Sequence, residues 1–280
     1  MHQERVSDNV YWFQSNVYAQ VTAGVVVGPK WSVLIDTLAL PEETLAIRDY
    51  VERHLQTKIH YIINTHYHAD HSWGNCFFPE ATIIAHARCR ELLVERGIPA
   101  LKEAKKQNPS LKQVEIALPH ITLDEGELTL EIGKKHLRIM PAPGHSEDGI
   151  AVLVVEDRVL FAGDVLMPIP YLLDGDIEKT RAVYEKFRTM ALENIVQGHG
   201  EVILRGEVAP TIDDNLNYLN ILEKTAKTAM RRKAPMDYLA KQDVEKCGKS
   251  RIILGGLAAE LHQRNLEYVY HLALEKAKAE

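Results

Sequence analysis

"INTHYHADHSWGN", residues 63–75, places His66, His68 and His71 around Asp70 within six positions. Protonated imidazoles at this spacing repel one another, and none of the four groups suits an apolar core. The stretch follows "KIHYIIN" (58–64), an apolar run of strand length, so the cluster falls in the loop at a strand end. A polar surface loop with incidental histidines explains this placement poorly. A divalent cation explains it well. Imidazoles and a carboxylate suit a borderline, moderately hard metal. The cation neutralises the carboxylate and takes the lone pairs of neutral imidazoles, so the groups converge instead of repelling.

Outward from the cluster, residues 10–37 read as strands: "VYWFQ", "VYAQVTAGVVVG" and "WSVLIDT" are rich in Val, Tyr and Trp, with "GPK" as a turn. Pro41 opens a helix through "PEETLAIRDYVERHL", with acids in its first turn. "ATIIAH" is a further strand, followed by a helix from about Arg88 to Glu95. The polar segment 97–118 reads as helix, turn or lid. Strands return in "ELTLEI", "KHLRIMPAP", "GIAVLVVED" and "RVLFAGD", then a helix spans 176–190, with Ile177, Thr180, Val183, Tyr184 and Phe187 on one stripe. "ENIVQGHG" and "EVILR" follow. Beyond about Gly206 the pattern turns helical: Ile212, Leu216, Leu219 and Leu222 share one helix, and a second is expected from about Ile252 to Ala277. Helices interleaved with strands indicate an α/β protein with helices covering sheets. The expected division is a catalytic domain over 1–205 and a helical C-terminal extension over 206–280 packed on it.

Composition bounds the reading. With 280 residues, 46% hydrophobic and 26% charged, the chain can build a core of normal size. The net charge of −6 and the absence of a basic stripe argue against a nucleic-acid partner. Arg231, Arg232 and Lys233 read as a solvated basic face. Three scattered cysteines, Cys76, Cys89 and Cys247, form neither a disulfide framework nor a thiolate zinc knuckle. Cys76 is expected as a small buried apolar residue. The N-terminal residues lack the basic and apolar regions of a signal peptide, and no apolar run reaches membrane-spanning length. A cytoplasmic location is the expectation, with no membrane partner.

Three more chemical groups sit at strand ends. "PAPGHSEDG" carries His145, "LFAGDVL" carries Asp164, and "IVQGHGE" carries His199 between glycines. Each alone has an ordinary explanation as a turn or cap residue. Together with the cluster they make a second set of ligands.

The run "THYHADH … PGHS … AGD … QGH" resembles the metal-binding signature of the metallo-β-lactamase superfamily, over about residues 10–205 and in the family's order. The resemblance implies a four-layered αβ/βα sandwich with metals at one edge, on the loops that follow the strands. It assigns His66, His68 and His145 to a first metal and Asp70, His71 and His199 to a second, with Asp164 bridging them. Asp36, in "LIDT", matches a position that supports the site by hydrogen bonding. His60 and His86 match no ligand motif and read as structural or surface residues. A carboxylate at 164, where the best-known zinc β-lactamases have cysteine, is more similar to the glyoxalase II, lactonase and phosphodiesterase branches. His68 argues against the flavodiiron branch. The spacing after Asp164 leaves no room for the extra domain of nucleic-acid-processing relatives.

The function so implied is a dinuclear hydrolase with two zinc ions, iron or manganese being alternatives. A hydroxide bridging the metals would attack a small-molecule ester, lactone, thioester or β-lactam bond. Lowering a bound water's pKa from about 15.7 to roughly 7 makes that hydroxide available at neutral pH. Asp70 would hold its proton and pass it to the leaving group. Tyr171, in "MPIPYLLDGD", and Trp73 are candidates for the substrate pocket, each with core packing as the alternative. The helical extension either covers the active site or forms a homodimer surface. Other readings are a phosphodiester or phosphotriester hydrolase, a mononuclear iron sulfur dioxygenase using a subset such as His66, His145 and Asp164, and a non-catalytic metal-binding protein.

Overall fold

The structure, a computed structural model, describes residues 1–279. One sheet contains β1 (His2–Ser7), β2 (Val10–Gln14), β3 (Thr22–Val27), β4 (Ser32–Ile35), β5 (Ile59–Ile63), β6 (Thr82–His86) and β7 (Ile121–Leu123), in that spatial order. Its first four strands are antiparallel, and β4 through β7 are parallel. The second sheet contains β8 (Leu128–Ile132), β9 (Lys135–Pro141), β10 (Ile150–Val154), β11 (Val159–Gly163), β12 (Asn194–Gln197) and β13 (Ile203–Leu204), with β13 and β8 at its edges. The helices are α1 (Pro41–Arg53), α2 (Ala69–Ser72), α3 (Ala87–Leu92), α4 (Ile98–Gln107), α5 (Ile177–Thr189), α6 (Val208–Ala229), α7 (Pro235–Leu239) and α8 (Ala258–Ala279).

Strand alternation explains the layers, because successive side chains leave opposite faces of a sheet. In β4 and β5, Val33, Ile35 and Ile63 point into the gap between sheets, where they cluster with Ile139, Val152 and Phe161. Their neighbours Leu34 and Ile62 point the other way, against Ile47 and Val51 of α1. On β11, Val159 and Phe161 face the gap, while Leu160 and Ala162 face outward toward Tyr184 and Phe187 of α5 and Leu219 of α6. Burying each such side chain contributes roughly 1.5–3 kcal/mol. Gly24 keeps the gap narrow: a Cβ there would lie 2.0 Å from the Phe161 ring of the facing sheet. The result is an α/β sandwich with helices outside two sheets, as the sequence pattern and the resemblance imply.

Register collects the important loops at one edge. Ile35, Ile63 and Ile84 are aligned across β4, β5 and β6, so the chain leaves these parallel strands on the same side. In the other sheet, Gly163 pairs with Gln197 across parallel β11 and β12, which brings the loops bearing Asp164 and His199 together. The sheets are tied at this edge by Thr22 N–H to Gly198 O at 2.9 Å and Ile150 N–H to Thr65 O at 2.9 Å.

The structure adds elements that sequence pattern did not announce. β1 is a mostly exposed edge strand with no apolar alternation, turned into β2 through Asn9 at φ 57°. β7 has three residues. The final helix begins at Ala258, not near Ile252, because Leu254, Gly255 and Gly256 all have positive φ and break the helix there. The 97–118 segment forms α4 and a 3-10 turn over Pro109–Gln113, whose Leu101 and Leu111 pack on Trp73. Cys76 is half-buried, not fully buried. His86 accepts the Arg88 N–H as the N-cap of α3, and His60 stacks on Trp31. Arg231, Arg232 and Lys233 are exposed beyond the end of α6 or at its margin.

Candidate metal centre

At the shared edge, seven side chains from four separate loops converge in two groups. His66, His68, His145 and Asp164 form one; Asp70, His71 and His199 form the other, with the potential ligand atoms of each group within 4.8 Å of one another. The structure thus brings together all seven of the residues singled out in the sequence, in two groups. Asp164 lies between them: its carboxylate is 3.5 Å from His145 Nε2 and 3.7 Å from His66 Nε2 on one side, and 3.1 Å from His71 Nε2 and 3.3 Å from His199 Nε2 on the other. Gly198 makes this approach feasible, since a Cβ there would fall 1.8 Å from Asp164 Oδ1.

The hydrogen bonds behind the rings define which nitrogen faces inward. His145 Nδ1–H donates to the Tyr171 carbonyl at 2.9 Å and His199 Nδ1–H to the Ala19 carbonyl at 2.8 Å. His71 Nδ1–H donates to Asp36 Oδ2 at 2.8 Å, and His68 Nε2–H to Asp174 Oδ2 at 3.2 Å. The Thr65 hydroxyl donates to Asp36 at 2.7 Å, so its oxygen accepts from His66 Nδ1–H at 3.1 Å. In each ring one nitrogen is occupied outside, leaving the other aimed at the centre. His68 Nδ1 consequently lies 3.0 Å from both His66 Nε2 and His145 Nε2. Three lone pairs facing one another need a shared electrophile.

The electrostatics lead the same way. Burial holds His66 well below the usual imidazole range, helped by neighbouring His71, and lowers His145 to about 4. His71 and His199 shift the other way: burial opposes it, but Asp164, with Asp36 and Asp70 around it, holds His71 high, and Asp164 with Asp70 raises His199 to about 10. Burial alone would raise Asp70, but His71 and His199 outweigh it and bring the carboxyl to about 2. At Asp164 burial is likewise outweighed by His199 and His71, which hold it low. The carboxylates thus demand positive charge at the centre. Protons meet that demand badly, since His71 Nε2 and Asp164 Oδ1 are buried with no aligned hydrogen-bond partner although they lie close. Divalent cations would fit this donor set of neutral imidazoles and carboxylates.

Asp36 braces both groups from beneath. Besides His71 and the Thr65 hydroxyl, it accepts the Thr65 backbone N–H at 2.7 Å, and it is itself in the left-handed region at φ 57°. A non-glycine residue held there in the interior stores strain that the surrounding hydrogen bonds must offset. Sequence reading missed Asp174, which holds His68, accepts from the Tyr67 hydroxyl at 2.7 Å and meets Arg96 at 3.3 Å. No local spacing announces it: Asp174 lies 106 residues from His68.

The centre opens into a cavity of about 500 Å³, which His68, Asp70, His145, Asp164 and His199 face. Its walls include Tyr18, Trp73, Met167, Tyr171, Leu257 and Arg264. Trp73 is both cavity wall and core, being buried against Leu101 and Val114. Tyr171 lines the cavity with its ring while its carbonyl holds His145. Gly97 and Ala100 from the 97–118 segment and Leu254 from the C-terminal segment also line it. Tyr18 stays protonated at neutral pH, because Asp70 and burial push its hydroxyl up to about 12, so it offers a hydrogen-bond donor at the cavity.

A two-sheet sandwich carrying such a histidine–carboxylate centre at its edge defines a metallo-hydrolase-type protein. Residues 17–215 match the model of the metallo-beta-lactamase superfamily, and the chain belongs to that superfamily. It is 23% identical over 259 residues to an acyl-coenzyme A thioesterase of Bos taurus, covering 82% of this chain and 92% of that one. A hydroxyacylglutathione hydrolase of Rhodopseudomonas palustris is 29% identical over 108 residues, 39% of this chain and 34% of that protein. Among solved structures, a metallo-beta-lactamase family protein from Thermus thermophilus shares the fold with a TM-score of 0.70 at 17% identity, covering 98% of this chain and 96% of that one. No helix among the described residues is long and apolar enough to cross a membrane.

Proposed function

We propose that this chain is a dinuclear metal-dependent hydrolase of a small-molecule acyl bond, with a thioester as the foremost candidate. Residues 1–205 are its catalytic domain, and the helices beyond are an extension that walls the cavity. Its site of action is the cytoplasm. The observation that carries the reading is the inward-facing nitrogen on each of five histidines, with Asp164 between the two groups. The acyl bond is favoured by the activities in the names of the two relatives, an acyl-coenzyme A thioesterase and a hydroxyacylglutathione hydrolase.

His66, His68 and His145 would hold one ion, Asp70, His71 and His199 the other, and Asp164 both, with zinc the first choice for this donor set. Bound there, the ions would supply Lewis acidity toward a carbonyl oxygen and acidify a water to a pKa of about 7. Asp70 is turned toward the cavity and held ionised, so it can accept a proton there and return it to the departing group. Tyr18 can donate to an oxygen of the substrate, and the wall of Trp73, Met167 and Leu257 can exclude water from an apolar acyl portion.

Metal analysis coupled to a panel of chromogenic thioesters, esters, lactones, β-lactams and phosphodiesters tests the reading. The expected result is about two zinc per chain and turnover that is greatest on a thioester. One iron per chain with oxidation of a thiol persulfide, preference for phosphodiesters, or two zinc with no hydrolysis would each overturn it.

A further inference from the structure

The loop from Asp164 to Asp176 carries two of the outer supports described above. The Tyr171 carbonyl holds His145, and the Asp174 carboxylate holds His68. Between residues 167 and 175 the C-terminal helices hold its backbone, while Tyr67 and Arg96 hold the Asp174 carboxylate. Asn265 of α8 accepts the Leu172 N–H at 3.0 Å and donates to the Pro170 carbonyl at 2.6 Å. Asn215 of α6 donates to the Met167 carbonyl at 2.9 Å, and Tyr268 of α8 donates to the Gly175 carbonyl at 3.1 Å.

Asn265 is completely buried, and its amide is committed to the loop and to the Tyr218 hydroxyl at 3.2 Å. Its side chain grips the Pro170 carbonyl and the Leu172 N–H, the groups on either side of the Tyr171 carbonyl that holds His145. Removing the amide leaves a buried carbonyl and N–H unpaired, at the point where the His145 ring is aimed.

We infer that Asn265 is a positioning residue for one metal site only: through the 165–176 loop, α8 sets the inward aim of His145 and His68, and so the affinity of the site they share with His66. This inference rests on the metal-centre reading. His71 and His199 take their support from Asp36 and Ala19, outside that loop, so their rings are aimed independently of Asn265.

The test is titration of the metal-free full-length chain with zinc against a chromophoric chelator, repeated with cobalt to read the ligand field spectroscopically. Wild type should bind two equivalents. In Asn265→Ala, one equivalent should weaken by about tenfold to a hundredfold, the range for losing a ligand's outer support, while the other keeps its affinity. In a His199→Ala background, which disables the other site, the remaining equivalent should show the whole Asn265 effect, with an altered cobalt spectrum. Tyr268→Phe, which removes one hydroxyl and leaves packing intact, should weaken the same equivalent by at least about twofold, and it decides the matter if Asn265→Ala does not fold. Equal weakening of both equivalents, or unchanged affinities alongside a lowered melting temperature, would assign Asn265 to general stability and overturn the inference. Failure of wild type to bind two equivalents would instead sink the metal-centre reading itself.

Discussion

His68 and His145 lean on the loop after β11, whereas His71 and His199 lean on carboxylate and carbonyl groups at the edge of the first sheet. The former support sits on a loop held by helices that contribute no converging side chain. The latter is built into strand ends, with Asp36 directly after β4 and Ala19 in the turn between β2 and β3. His66 stands between the two, aimed through Thr65 at the same Asp36. One centre is thus aligned by two scaffolds that meet at Asp164, and each scaffold is separately open to perturbation.

The largest effect is expected where the scaffolds meet. Asp164→Asn removes a charge common to both groups, and turnover should fall by at least about 10³-fold, the equivalent of roughly 4 kcal/mol, with metal content below one ion per chain. A variant that retained two ions and near-normal turnover would break the picture of a shared carboxylate. Next comes Asp36→Ala, which leaves His71 unsupported and loosens His66 through Thr65. Metal affinity should drop by about 10- to 100-fold, more at the His71 site, as followed by chelator competition. Asp174→Ala sharpens the contrast: about a tenfold loss confined to the His68 site, where an equal loss at both would show that the scaffolds are not separate. The smallest effect is expected from Tyr171→Phe. Its backbone carbonyl, not its hydroxyl, holds His145, so both metal affinities should stay within about twofold of wild type, and any change should appear in KM for substrates touching that wall.

The sequence cluster from His66 to His71 was legible because it is local: four groups at the end of one apolar strand leave few explanations but a cation. His145, Asp164 and His199 were legible because each ends a strand beside a glycine. Asp174, Asn265 and Tyr268 were not legible. An aspartate, an asparagine or a tyrosine in a helix or loop is common, and their meaning comes from partners 93 to 106 residues away in the chain. β1 was missed because an exposed edge strand needs no apolar alternation, and the start of α8 was misplaced because the sequence between Ile252 and Leu257 is helix-compatible except for its two glycines.

The sequence by itself determined strands interleaved with covering helices and the crowding of His66, His68, Asp70 and His71 at one strand end, whereas the two-sheet sandwich and the full ligand set came from the resemblance. Alternation along strands and chemistry at strand ends are both short-range properties. Only the tertiary structure decided which nitrogen of each ring faces inward, because that depends on the oxygen that packing places behind it. It also decided that α8 braces the centre, since the hydrogen bonds of Asn265 exist only after a helix and a loop far apart in the chain have been brought together.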